Sequence, residues 1–252
     1  MATAKPAPEA TAHGRALNPR PLIVVGGGEH ARVVIETIRD AGAVGSWTVI
    51  GFADQDPAPA ADGRLGVDHL GTDADVAARS GAVPAAERPW LVLGFGGHGS
   101  VSARAQVVDL YGPDARWATV VHPTAWVSPK AILGPGTVVL AGAIVGVGAR
   151  LGRHVIVNTR AVIEHDVEIG DQVQVAPGAV IGGAARIGAW ATIGMGALVR
   201  DHVEIGPGAV VGMGSVVVAD VPAEAVVMGS PARQRGTPES DSILADAGLP
   251  RA

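Results

Sequence analysis

The chain has 252 residues, a formal net charge of −5 and no cysteine. That balance excludes a disulfide framework, a thiolate nucleophile and a cysteine zinc site, and with no Lys/Arg block it offers nothing to nucleic acid or an anionic membrane. With 48% hydrophobic residues, 3% aromatic ones and 36 glycines, the core has to be built from Val, Ile, Leu and Ala at close backbone spacing.

Residues 1–20 ("MATAKPAPEATAHGRALNPR") are rich in Ala and Pro and lack the continuous apolar run of a secretory signal, so they read as a disordered leader. No later segment runs for about 18 apolar residues without Gly or charge, which predicts no membrane span and a cytoplasmic location.

Residues 21–118 read as a small Rossmann-like α/β domain with a parallel sheet. "PLIVVGGGEHARVVIETIRDAG" gives a strand over Leu22 to Val25, a turn at Gly26, Gly27 and Gly28, and an amphipathic helix ending near Gly42. "WTVIGFADQDP" supplies a second strand ending at Asp54, and "RPWLVLGFGGHGS" a third, followed by a helical stretch around Ala103 to Leu110. Gly26 and Gly28 let backbone approach a ligand, and His30 opens a helix whose N-terminus can face a diphosphate. Asp54 stands where such folds meet a ribose or base, although "DQDP" is also ordinary turn chemistry.

From Val121 to Val217, every sixth residue is Leu, Ile or Val, and the residue four later is always Ala, Thr, Val or Ser. Many residues directly after the aliphatic one are glycine, as at Gly134, Gly146, Gly170 and Gly182. A period of six fits neither a helix nor a two-sided strand; it fits short strands joined by tight turns and stacked as a solenoid. The aliphatic residue fills the axis, the small residue a crowded corner, and glycine supplies the turns. Residues 119–221 are assigned to this all-β parallel β-helix, and residues 222–252 to a C-terminal cap and tail.

Six stretches, in order, carry a family resemblance: "VVGGGEHARVVIE", "VIGFADQD", "HPTAWVS", "VIVNTRAVIEHDVEIGD", "APGAVIGGAARIG" and "DVPAEAVVMGSPAR". Together they resemble the NeuD/PglD-type bacterial sugar acetyltransferases, hexapeptide-repeat enzymes with a left-handed β-helix, from Leu22 to about Arg235. The resemblance implies acetyl-CoA as co-substrate, no metal, a nucleotide-linked amino sugar as acceptor, and a homotrimer.

Within the repeat, "IEHD" puts Glu164, His165 and Asp166 just beyond the axial Ile163, directed away from the core. A solvated corner would look the same, and "VRDHVEIG" (199–206) nearly repeats the pattern, so spacing leaves His202 as a rival. The resemblance selects His165 as general base with Asp166 fixing its tautomer, and puts Asn158 and Glu164 against the sugar. It also implies that Gly183, Ala184, Met195 and Met213 line the acetyl-CoA groove, with Trp190 at a subunit seam and Arg233 or Arg235 near the CoA phosphates.

Two departures stand out. Gln174 replaces a histidine common in relatives; it can donate a hydrogen bond along the acetyl-CoA path but cannot titrate. Glu29 replaces a glycine beside the expected diphosphate. Three other functions fit parts of the pattern: O-acetylation of a sialic-acid-type hydroxyl, a non-catalytic nucleotide-binding scaffold that would not respond to acetyl-CoA, and a zinc hydratase requiring His154, His165 and His202 to converge.

Overall fold

The computed structural model describes residues 20–41, 47–58, 63–96 and 101–236. The leader at 1–19, Gly42 and the tail at 237–252 lie outside these residues.

Three parallel strands, β1 (Arg20–Val25), β2 (Trp47–Ala53) and β3 (Trp90–Leu93), form a sheet in the order β2-β1-β3. Their inner residues form near-continuous apolar runs because helices cover both faces. Helix α1 (Glu29–Asp40) buries Ala31, Val34, Ile35 and Ile38, the spacing of one helical face, against Leu22, Val24, Phe52 and Val92. Helix α2 (Asp73–Gly81) is absent from the sequence reading, although "TDAD" encodes its start. Thr72 Oγ1 accepts from Asp75 N at 3.1 Å, and Asp75 Oδ2 accepts from Thr72 N at 3.1 Å. Helix α3 (Val101–Tyr111) follows β3, as expected.

From Val120 onward the chain is a parallel solenoid of two-residue strands. Ile156 pairs with Gln174 and Gln174 with Thr192, so one coil is 18 residues, or three hexads. Three sheets result. Face 1 stacks Val120–Val121, Val138–Val139, Ile156–Val157, Gln174–Val175, Thr192–Ile193 and Val210–Val211, then Val226–Met228 from the expected cap; Arg233–Gly236 closes it antiparallel. Face 2 runs from Trp126–Val127 through Val162–Ile163 to Val216–Val217, and face 3 from Ile132–Leu133 through Glu168–Ile169 to Glu204–Ile205.

The axial aliphatics and the small residues four later form one buried column, including Val157, Ala161, Ile163, Val167 and Ile181. The two solenoid expectations for these positions hold. The expectation for glycine is corrected. Glycines directly after the axial residue lack a left-handed φ; they are needed because successive coils touch there. A Cβ on Gly170 would stand 2.5 Å from Ala189 N, and one on Gly182 2.5 Å from Asp201 N. The left-handed position falls two residues later, and it is taken by Gly148, Gly178 or Gly196 in some coils and by Asp166, Ala184, Trp190 or His202 in others.

The outward residues differ from face to face, and this positions the site. On face 1, Val120 and Val138, with Leu140, join the core under α1, so the sheet domain is seated on the first coils. Face 3 carries Arg150, Glu168, Arg186 and Glu204 in register, a charged surface with Arg186 Nε 3.7 Å from Glu168 Oε2. Face 2 carries Trp126, Ile144, Val162, Val180, Leu198 and Val216; Trp126, Ile144 and Leu198 are exposed. It is an apolar stripe one coil after another.

Candidate active site

Most of the solenoid residues singled out for substrate binding and catalysis fall into two groups, at the two edges of face 2.

The first group lies where face 1 turns into face 2, under the sheet domain. His30, Gly96, Asn158, Gln174, Met195 and Met213 line a cavity of about 290 Å³ between the first helix and the solenoid. Asn158 Oδ1 accepts from Thr159 N at 2.8 Å, which fixes the amide so that its NH₂ is left to donate. Gln174 is buried beneath the loop after β3, and a Cβ on Gly96 would stand 2.6 Å from its Oε1. Met195 and Met213 are one coil apart and exposed at the cavity mouth. Gln174, on face 1, and Met195 and Met213, on the corner after it, are thus neighbours of His30 and Asn158, the residues expected on the sugar side, and stand apart from Gly183 and Ala184.

His30 is mostly buried, and burial together with the nearby Arg104 lowers its pKa to about 4, so the ring is neutral at pH 7. Gly26 and Gly27 are buried under Phe95 and Phe52, and Gly28 is open. Asp54 holds this turn: its Oδ2 accepts from Gly27 N at 2.5 Å and its Oδ1 from Asp56 N at 2.9 Å. Each oxygen thus already has a backbone partner, and Asp54 shapes the turn that any nucleotide would meet. Glu29 is exposed and, with Gly27 and Gly28, lines a separate cleft of about 500 Å³ that also touches Arg32, Arg64 and Thr159.

The second group lies where face 2 turns into face 3. His165 Nδ1 is 3.1 Å from Asp166 Oδ2, with the two side chains 59% and 67% exposed. A donor on Nδ1 bonded to the carboxylate leaves Nε2 as the basic nitrogen. The ring is backed by the next coil, since a Cβ on Gly183 would stand 2.5 Å from Nε2. Below, Gly148 leaves room for the Asp166 carboxylate. Glu164 is exposed on the same corner, and Ala184 follows Gly183 at φ 57°.

His202 repeats the corner position of Asp166 two coils on, roughly 10 Å away by strand spacing. It faces Asp201 only at 3.9 Å. His154 stands on the third corner, buried with its ring edge-on to Trp117 at 4.6 Å. The three histidines of the hydratase reading therefore do not converge. Trp190 is on that third corner as well, half-buried. Arg233 and Arg235 lie exposed on the closing strand. No helix among the described residues is long and apolar enough to cross a membrane.

Comparison with known proteins now bears on this geometry. The PglD N-terminal domain family matches residues 21–82, and the bacterial transferase hexapeptide family (six repeats) matches residues 148–183. The acetyltransferase domain of PglB from Neisseria gonorrhoeae is 32% identical, with a TM-score of 0.73, over 86% of this chain and 100% of that one. PerB from Caulobacter crescentus, solved with CoA and GDP-perosamine, is 32% identical, with a TM-score of 0.75, over 88% of this chain and 100% of that one. A histidine-to-asparagine variant of that perosamine N-acetyltransferase, with the same two ligands, is 31% identical at the same coverage and TM-score. No curated protein sequence matches. The chain belongs to the NeuD/PglD-type sugar acetyltransferases. As a member of that family it is an acyltransferase built on a left-handed β-helix.

Residues that sequence reasoning missed in this acetyltransferase are Gly96 and Arg104. Gly96 carries a signal, the second Gly-rich strand-to-helix turn; Arg104 carries none, because a lone arginine in a helix is ordinarily solvated.

Proposed function

We propose that the protein transfers the acetyl group of acetyl-CoA to the amino group of a nucleotide-linked amino-deoxysugar, with His165 as general base. The amine attacks the thioester carbonyl carbon while Nε2 of His165 takes its proton; Asp166 accepts from Nδ1–H and stabilises the imidazolium. Collapse of the tetrahedral intermediate expels the CoA thiolate, which takes the amine's proton from the ring. Glu164, on the same corner, is assigned to the sugar.

The observation that carries this reading is that the two groups of site residues border the same exposed apolar stripe. Each holds only part of the expected site: His30 and Asn158 line a cavity, while His165 with its carboxylate stands exposed on another corner. Packing face 2 of three copies around a common axis buries Trp126, Ile144 and Leu198 and brings the His165 corner of one copy to the cavity corner of the next. Acetyl-CoA then runs along that seam, past Gly183 and Ala184 of one copy and Met195 and Met213 of the other. We assign the sheet domain at 21–118 to the acceptor nucleotide, the β-helix at 119–221 to the transfer and 222–252 to its cap, and we place the reaction in the cytoplasm.

Support for the amine acceptor comes from PerB, whose structures hold CoA and GDP-perosamine and whose variants replace a histidine. The deciding experiment is CoA release measured with UDP-, GDP- and dTDP-linked amino sugars. Turnover with an amino sugar and not with its hydroxyl counterpart is expected; release with neither, and no thermal stabilisation by acetyl-CoA, would leave only a scaffold.

A further inference from the structure

Behind His30, outside the residues that line the cavity, lies a guanidinium that no carboxylate among the described residues neutralises. Arg104 lies on α3 and is 2% exposed. Its Nη2 donates to the carbonyl of His154 at 2.8 Å, but Nε and Nη1 have no partner among the described residues, and no carboxylate pairs with it there. Nε2 of His30 is also buried without a partner. The two groups are close enough that Arg104 helps keep His30 neutral, as it does His154. Burial lowers Arg104 itself only to about 10, so at neutral pH the arginine alone supplies the positive charge here.

A buried cation without a counter-charge costs several kcal/mol, and buried donors left unmade add to that cost. Proteins keep such arrangements where a ligand brings the missing charge. The topology says which ligand end arrives here. The order β2-β1-β3 makes the gap between the carboxyl ends of β1 and β3 the switch point of the sheet, where such folds bind ligands. His30 is on the helix that follows β1 and Arg104 on the helix that follows β3. Helical side chains lean toward the helix N-terminus, which for both helices is the end beside that gap. The cavity of about 290 Å³ below is sized for one sugar ring, not a whole nucleotide sugar.

We infer that Arg104 and Nε2 of His30 form the seat for the diphosphate of the acceptor, at the junction between the sugar cavity and the sheet domain. The inference rests on the proposed acceptor class and adds a residue that binds its charge. Three donors are on offer, the Nε–H and Nη1–H groups of Arg104 and an Nε2–H of neutral His30, and a diphosphate accepts all of them.

Calorimetric titration of the full chain with UDP, GDP and dTDP, and separately with CoA, tests this in wild type, Arg104→Gln and Arg104→Lys. Arg104→Gln is expected to weaken the preferred nucleoside diphosphate by about tenfold or more and to flatten its salt dependence, with CoA affinity within about twofold of wild type. Arg104→Lys, which keeps the charge, should recover a share of the loss. Equal nucleotide binding by wild type and Arg104→Gln overturns this seat and leaves the acetyltransferase reading intact. A parallel fall in nucleotide binding, CoA binding and melting temperature makes Arg104 a strut between helix and solenoid, which also overturns it. Wild-type protein that binds CoA and no nucleoside diphosphate removes the acceptor class and the seat together.

Discussion

The imidazole of His165 occupies the volume that a side chain on Gly183 would need. The built Cβ stands 2.5 Å from Nε2 and 2.6 Å from Cε1, on a backbone with no left-handed φ to complicate the substitution. Gly183→Ala should therefore displace the ring with little strain of its own. Turnover is expected to fall about 100-fold, with a melting temperature within a few degrees of wild type, because a misplaced base forfeits most of its catalytic contribution. Steady-state kinetics beside a thermal melt would check both halves.

His165→Ala removes the base altogether and should cost about 10²–10⁴ in kcat. Asp166→Asn keeps the corner, since asparagine tolerates the φ of 57°, but it no longer favours the Nδ1–H tautomer. A smaller loss in kcat is expected, because the ring is no longer held in the tautomer that leaves Nε2 basic. Wild-type kcat in this variant would disconnect Asp166 from the ring.

Two kinds of glycine predict two kinds of damage. Gly196 has φ +66° and open space around its Cβ position, so Gly196→Ala should cost about 1–2 kcal/mol of left-handed strain. Gly170 has no such φ, but its Cβ would meet Ala189 N at 2.5 Å, so Gly170→Ala has to push neighbouring coils apart and should cost more, about 1–3 kcal/mol or beyond. Conversely, Ala184→Gly relieves a φ of 57° and should stabilise by about 1 kcal/mol. Denaturant unfolding of the three variants reads this order directly.

Acid should weaken the molecule through its buried histidines. His30 and His154 both fall from 6.5 to about 4 on folding. Above pH 6.5 both are neutral in either state and contribute no slope. Between 6.5 and 4 the unfolded chain takes up protons that the folded one refuses, so stability drops by up to about 1.4 kcal/mol per pH unit for each histidine. His154→Asn, tolerated at φ 55°, should remove one of the two slopes. Melting temperatures of wild type and variant across that window should draw together as the pH falls.

Leu198→Arg on face 2 should prevent self-association at micromolar concentration and abolish turnover together. Sedimentation of the variant as an active single chain would break the link between the two corners.

The solenoid is legible in the sequence because its constraint is strictly periodic: Val157, Ile163 and Ile169 are interchangeable to the eye and fill one axis. The role of Gly170 is not, since period alone does not say whether a glycine serves a torsion or a close approach. Helix α2 escapes a reading by pattern because only Val76 is buried along it, leaving a weak apolar signal. His165 is legible as a position but not as a choice over His202, which stands on an equivalent corner with a looser carboxylate contact. Arg104 is invisible because its meaning comes from burial between α3 and His154, 50 residues away.

The 18-residue register has a further consequence for how this scaffold changes over time. Inserting one whole coil between the three-stranded sheet and Asn158 would return every later side chain to its own corner, yet lift the sheet away from Asn158 and His165 by one strand spacing, about 4.8 Å. An insertion that is not a whole number of coils would rotate His165 off its edge. The molecule therefore works like a ruler with fixed gradations, able to match a longer or shorter acceptor only in whole steps.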